Sequence, residues 1–256
     1  RRNEVVKVEL PESWSGPCRV LDGEWEAPAE VLEHAGRKLL RFVARDLPAF
    51  SFKIFTVEQG KSKEAPDLVA DALTIENEFY RLQLDPQHGD SLVSLVDKRS
   101  GRELVQQGRV LNDLVAHREY PELPGHGEGP WHVCTTGERH HASKEFPAEV
   151  DLEHTPTRVT LIIRSDHVNC RRETQMTLWS GLPRVDFETQ IADYSGEDWL
   201  FKVHFPLAVR GGRPVYEVAG PAVSRTYCPG DQDTKELAWT QDSTANHYVD
   251  LTVPLR

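Results

Sequence analysis

Residues 73 to 104 contain two short runs in which apolar and polar residues alternate, separated by turn residues. In the first run Tyr80, Leu82 and Leu84 are spaced by single polar residues, a period of two that places one apolar face inward. The sequence Asp-Pro-Gln-His-Gly then interrupts the pattern, and Leu92–Val96 resumes it. The stretch therefore predicts two adjacent antiparallel strands joined by a tight turn, as at the start of a β-meander.

The same alternation recurs along most of the chain and predicts an all-β fold. Runs of this kind occupy residues 6–10, 40–44, 50–54, 159–163, 176–178, 185–191 and 201–207. We expect a small β-sheet unit over residues 1–60, a polar linker over 61–71, and a large antiparallel sandwich over 72–256. Residues 29–40 are compatible with one or two helical turns.

Several segments, in order along the chain, resemble the α-mannosidases of glycoside hydrolase family 38. The clearest is Glu-Asn-Glu-Phe-Tyr-Arg-Leu-Gln-Leu-Asp-Pro, followed by the Leu-x-Ser-Leu-x-Asp-Lys pattern that leads to Gly-Arg-Glu. The other segments that carry the resemblance are Asp46–Phe55, Pro183–Leu207, Tyr216–Arg225 and Tyr248–Thr252. Ser51 stands where the family usually has Gly, and Tyr248 stands where it usually has Trp.

The resemblance implies that residues 72–256 form the C-terminal β-supersandwich of such an enzyme, an architecture related to galactose mutarotase. In that family an N-terminal α/β domain holds a zinc ion and the carboxylate nucleophile, and nothing in this sequence resembles it. We therefore expect no catalytic residue, metal ligand or cofactor in this chain, with zinc belonging to the catalytic domain. The expected partners are that domain, in the same polypeptide, and a mannose-containing glycan. We also expect the sandwich to be truncated at its C-terminal end and the isolated chain to be inactive.

Composition narrows the class of protein further. The formal net charge of −11, from 41 acidic and 30 basic residues, argues against a nucleic-acid surface. No apolar run approaches the ~20 residues of a membrane-spanning helix, so we expect no membrane partner. The four cysteines are scattered without a C-x-x-C pair, which is typical of reduced thiols and predicts a cytoplasmic protein.

Residues 116–147 show no sustained period and are too long for an ordinary connection, which indicates a functional or disordered loop. They contain five histidines, which we interpret as solvated loop residues: His117, His126, His132, His140 and His141. Trp131 falls where the family places a loop that leans over the mannose site, and an aromatic ring there can stack on a sugar. Arg225 occupies a position similar to a family arginine near the substrate. The resemblance thus predicts Trp131 and Arg225 as substrate-binding residues.

Two other functions stay open at this point. A free-standing aldose epimerase of the mutarotase type would need a histidine acid and a glutamate base on one sheet. A carbohydrate-binding module would use exposed tryptophans as sugar platforms, from Trp131, Trp179, Trp199 and Trp239, although Trp179 and Trp199 adjoin alternating strands and are better interpreted as core.

Overall fold

The computed structural model describes residues 1–14, 16–121, 135–224 and 245–252. Within these ranges the first sixty residues form two three-stranded antiparallel sheets, with strand orders β1-β5-β4 and β3-β2-β6. Their apolar faces enclose one cluster around Val20, Leu40 and Phe42. The six strands are β1 (Arg2–Glu9), β2 (Cys18–Asp22), β3 (Trp25–Ala27), β4 (Ala29–His34), β5 (Arg37–Leu47) and β6 (Thr56–Gln59).

The hairpin of β4 and β5 shows that the helical interpretation of residues 29–40 was wrong. Ala35 and Gly36 both have positive φ, 50° and 76°, as in the two-residue type I′ turn that suits the twist of paired strands. The strands pair from Ala29 opposite Phe42 to the turn. The tight turn, not a helix, explains the glycine in this segment.

The predicted strand over residues 50–54 was also wrong. The chain there forms a bend and an irregular connection between β5 and β6. Phe50, Phe52 and Ile54 alternate with other residues as the sequence suggested, but all three are exposed. The alternation of apolar and other residues was therefore not sufficient to predict a strand or a buried apolar face here.

The regular structure in the remainder of the described chain is again almost entirely strand, which confirms the all-β prediction. Its antiparallel sheets have the orders β11-β10-β9-β8-β7, β13-β12-β18, β14-β15-β16-β17 and β20-β19-β21. The strands and the one short helix are β7 (Val69–Ala70), β8 (Thr74–Glu76), β9 (Tyr80–Asp85), β10 (Ser91–Asp97), β11 (Arg102–Glu103), β12 (Asp113–Glu119), β13 (Thr135–His141), α1 (Ala142–Glu145), β14 (Glu149–His154), β15 (Arg158–His167), β16 (Cys170–Trp179), β17 (Val185–Ala192), β18 (Trp199–His204), β19 (Arg213–Glu217), β20 (Ala222–Ser224) and β21 (Val249–Thr252).

The main core lies between the five-stranded and the four-stranded sheets, as in a β-sandwich. Leu82 and Leu92 from the first sheet and Leu161 and Met176 from the second are among its fully buried members. The two strands predicted from residues 80–96 are β9 and β10, and their alternate leucines supply this core. The period of two therefore identified the buried face correctly in the segment where it was clearest.

The segment proposed as a linker packs against both neighbours. The Ser62 hydroxyl accepts a hydrogen bond from the Ala29 amide at 2.8 Å, and Ala65 and Leu68 are buried in the main core. A smaller cluster, with Val43 on one side and Trp179 and Leu182 on the other, joins the N-terminal sheets to the four-stranded sheet. The division at residues 61–71 stays a prediction.

Helical structure in the described ranges is limited to α1 and a 3-10 turn over Pro86–His88. Neither has the length or the apolar character that crossing a bilayer requires.

Candidate functional site

The segment predicted to be irregular, residues 116–147, contains paired strands where it is described. His117 lies in β12, and His140 and His141 lie in β13, which pairs with β12. The interpretation of these three as solvated loop histidines was therefore wrong. His126 and His132 lie outside the described residues.

Three histidines converge on one face of the sheet formed by β13, β12 and β18. Residues directly opposite each other in antiparallel strands point to the same side, and here His204 is opposite Asp113 while His141 is opposite Val115. The ring centroid of His204 lies 6.0 Å from that of His117 and 6.3 Å from that of His141. Val115, at the centre, is completely buried. We call Asp113, His117, His141 and His204 the histidine face.

Asp113 fixes the position of His141. One carboxylate oxygen lies 2.8 Å from His141 Nδ1, and the other accepts a hydrogen bond from the Ser143 amide at 3.0 Å. A carboxylate oxygen accepts in this contact, so the hydrogen between the two groups is assigned to Nδ1. Asp113 thus holds the His141 ring in one orientation.

The turn after β9 supports α1, which carries Ser143. Gly89 has a φ of 59°, and a Cβ atom on it would lie 2.7 Å from the Ala142 carbonyl oxygen and 2.9 Å from that of Phe146. Only glycine allows this approach and this backbone conformation. The turn predicted from the sequence therefore has a second role, because it holds the short helix next to Asp113.

Two imidazoles of the histidine face, those of His117 and His204, have lowered pKa values, which favours their neutral form. Burial lowers the pKa of His117 and that of His204, and the positive charge of Lys202 lowers both further, whereas Asp113 acts in the opposite sense on His204. His117 Nε2 is buried and has no hydrogen-bond partner within the described residues. A neutral imidazole both donates and accepts one hydrogen bond, so this face suits hydroxyl groups better than anions.

Behind α1 lies a group of buried polar side chains. His167 is packed edge-on against Phe146, with ring centroids 4.7 Å apart, and burial together with the charge of Arg172 lowers the pKa of His167 to about 4. Arg172 donates from Nε to the Ser165 hydroxyl at 3.1 Å. Burial also raises the pKa of Asp90. His167 is therefore expected to stay neutral at acidic pH values at which an exposed histidine is protonated.

The opposite face of the same sheet is occupied by paired groups. Hydrogen bonds to Glu145 and Glu138, at 2.7 Å and 3.1 Å, raise the pKa of His140. Its ring lies 5.7 Å from that of Trp199, which Arg118 also covers at 5.2 Å. Trp199 therefore contributes to packing here and does not present a free ring.

A surface cleft of about 560 Å³ lies elsewhere, on the four-stranded sheet. Two arginines of its wall are already engaged, since Arg164 donates to Glu173 at 2.7 Å and Arg171 donates to Asp193. Arg172 also lines the cleft, and its buried Nη2 has no hydrogen-bond partner within the described residues. We take the histidine face as the candidate site because it brings three imidazoles and one carboxylate together.

Both predicted substrate-binding residues, Trp131 and Arg225, lie outside the described residues. In sequence, the segment with Trp131 connects β12 to β13, the two strands that carry His117 and His141. Arg225 directly follows β20. Sequence reasoning missed Asp113, His167 and His204, although His204 stood on the polar side of a recognised alternating run.

Within the described ranges, no group of three His, Cys, Asp or Glu side chains has an arrangement that could hold a metal ion. The described residues thus do not fit zinc, and no chemical step is assigned to a metal here. The zinc of the catalytic domain stays an expectation.

Residues 75–253 match the family described as "Glycosyl hydrolases family 38 C-terminal domain". The chain belongs to this family. The match begins in β8 and includes the histidine face and all buried members of the main core except Ala65 and Leu68, so these are parts of a family 38 C-terminal domain.

Among curated proteins, human "Alpha-mannosidase 2C1" is 27% identical over 154 residues. The alignment covers 57% of this chain but 14% of the human protein. The chain thus spans a small part of the length of this relative.

Proposed function

We propose that this chain is the non-catalytic β-rich part of an α-mannosidase-like glycoside hydrolase. It braces the catalytic domain of the same polypeptide and contributes the segment between β12 and β13 to the sugar site, where mannose-containing glycans bind. The observation that carries the proposal is the family match over residues 75–253. The name of the human relative supports mannose as the sugar.

The histidine face gives the proposal a physical basis. Its neutral imidazoles suit sugar hydroxyls, and Asp113 and α1 hold His141 in one orientation. A rigid sheet that carries a long connecting segment is a common way to position binding residues. In this proposal Trp131 stacks on the sugar and Arg225 bonds its hydroxyl groups.

The test uses the longer polypeptide that joins residues 1–256 to the catalytic domain, with an aryl α-mannoside as substrate. Trp131→Ala and Arg225→Ala should each lower kcat/KM by roughly ten- to a hundredfold, as expected for one lost contact of ~1.4 to 2.7 kcal/mol. The melting temperature should change little. Arg210→Ala, at an exposed arginine, is the matched control and should leave kinetics unchanged.

Full activity in both variants, or a sharp loss of melting temperature with normal kinetics in Trp131→Ala, would assign the two residues to packing. Absence of α-mannosidase activity in the longer polypeptide itself would refute the proposed function as a whole.

One observation favours a second candidate, an aldose epimerase. The pair of His141 and Asp113, next to His117 and His204, gathers ionisable groups that could transfer protons during interconversion of sugar anomers, with Asp113 in the place of the expected glutamate. Exchange of mannose anomers measured by NMR would distinguish the two: acceleration by the chain that His141→Gln abolishes would favour the epimerase.

The binding-module alternative has weaker support from the described tryptophans. Trp179 is buried, donates from Nε1 to Asp186 at 2.7 Å, and is covered by Arg41 at 5.2 Å. With Trp199 also covered, neither offers a free ring face to a sugar.

A further inference from the structure

Three large apolar side chains are exposed side by side between β5 and β6. Relative to a fully exposed residue, Phe50 is 110% exposed, Phe52 is 83% exposed and Ile54 is 77% exposed. Single exposed apolar residues are normal on protein surfaces, but a contiguous set usually marks an interaction site. We call Phe50, Phe52 and Ile54 the apolar strip.

The strip is held in place by its alternate neighbours. Lys53 turns inward, where its ammonium donates to the Arg45 carbonyl oxygen at 3.0 Å and pairs with Asp22 at 2.5 Å. Phe55 packs edge-on against Phe42, with ring centroids 5.1 Å apart. Anchoring of these neighbours presents Phe52 and Ile54 outward on a fixed segment of chain.

The backbone of the strip is available for pairing. Within the described residues, no backbone N–H from Phe50 to Ile54 donates to another protein group. Among the carbonyl groups of this segment, that of Phe52 accepts from the Ser51 hydroxyl at 3.4 Å. Unpaired backbone groups beside outward apolar side chains are what a chain segment needs in order to receive an added strand.

The conformation of Phe50 is a further sign of a constrained site. Its φ is 50°, in the left-handed region that a bulky residue adopts only at an energetic cost. The ring gains no burial within the chain in return, because it is fully exposed. Such a conformation is understandable where the ring packs against a partner.

We propose that the apolar strip receives an extended, uncharged segment of the catalytic domain, which pairs with residues 52–54 as an added strand and packs against the ring of Phe50. The inference rests on the proposed function, which it deepens by naming the surface that braces the two parts. The three side chains carry no charge and Lys53 is engaged inward, so the complementary segment is apolar. The human relative, of which the match covers 14%, contains ample further chain to supply it.

Hydrogen exchange followed by mass spectrometry tests this proposal on the longer polypeptide and on the 256-residue chain. We expect the amides of residues 52–54 to exchange ~tenfold or more slowly in the longer polypeptide, because paired amides exchange only on opening. Phe52→Ser, together with the triple variant Phe50→Ser, Phe52→Ser and Ile54→Ser, should remove this protection. Val69→Ser, at another exposed apolar residue (61% exposed), is the control and should retain it.

Equal, fast exchange in both proteins would overturn the proposal. Protection in the 256-residue chain that disappears on dilution would also overturn it, by assigning the strip to a second copy. Protection in a longer polypeptide without mannosidase activity would uphold the docking surface and refute the proposed function alone, so the two failures are distinguishable.

Discussion

Replacing His167 with phenylalanine should remove a large part of the acid sensitivity of this fold. His167 is 4% exposed, and neither of its ring nitrogens has a hydrogen-bond partner in the described ranges. The groups that act on it are Arg172 and His140, which disfavour its protonation, and Asp113 and Glu145, which favour it. Burial is the largest influence, and the pKa falls from 6.5 to about 4.

The sign of the effect follows from proton linkage. The unfolded chain binds a proton at this histidine near pH 6.5, whereas the folded chain does so only near pH 4. The stability that a neutral His167 contributes is therefore present above the unfolded pKa and is lost as the pH falls toward the folded pKa. For these two values the loss between about pH 7.5 and about pH 5 is roughly 2 kcal/mol.

Urea unfolding at both pH values measures this loss. His167→Phe keeps the aromatic contacts with Phe146 and Phe201 and gives up no hydrogen bond. Between about pH 7.5 and about pH 5, the unfolding free energy of the parent should therefore decrease by about 2 kcal/mol more than that of the variant. His154→Phe, at an exposed histidine of β14, is the control and should show the parent's pH dependence. An unchanged pH dependence in His167→Phe would refute the reasoning.

Two further predictions concern a turn and the activity of the chain. Gly89→Ala should destabilise the fold more than Gly101→Ala: both glycines have positive φ, but a Cβ at position 89 meets two carbonyl oxygens whereas one at position 101 meets nothing within 4 Å. The difference in unfolding free energy should be ~1–3 kcal/mol, and equal destabilisation would contradict the proposed packing of α1 on the turn. The 256-residue chain alone should not hydrolyse an aryl α-mannoside, with or without added zinc; turnover that a chelator abolishes would show otherwise.

The fold was predictable wherever the sequence pattern and the burial coincide. In β9 and β15, apolar residues such as Leu82 and Leu161 occur at every second position because one face of each strand packs in the main core. The same pattern led to a wrong strand prediction around Phe52, whose side chain is exposed. It also could not distinguish a tight hairpin at Ala35 and Gly36 from a helical turn, since two residues with positive φ decide the structure there.

The candidate site was less predictable because its members come from distant strands. His117, His141 and His204 approach each other only through the register of β12 with β13 and with β18. Nothing local in the sequence fixes that register. The role of Asp113 could not be predicted for a similar reason. It depends on a hydrogen bond from α1, and the Gly89 turn holds α1 in place.

The contact between the N-terminal sheets and Trp179 determines where this protein can be shortened. A protein trimmed to the family-matched residues 75–253 would lose Arg41 and Val43 from around the indole, and with them Ala65 and Leu68 from the main core. The Thr157 hydroxyl would also lose its acceptor, Glu30. We therefore expect the family-matched segment, expressed by itself, to expose an apolar surface to water and to be less stable than the 256-residue chain.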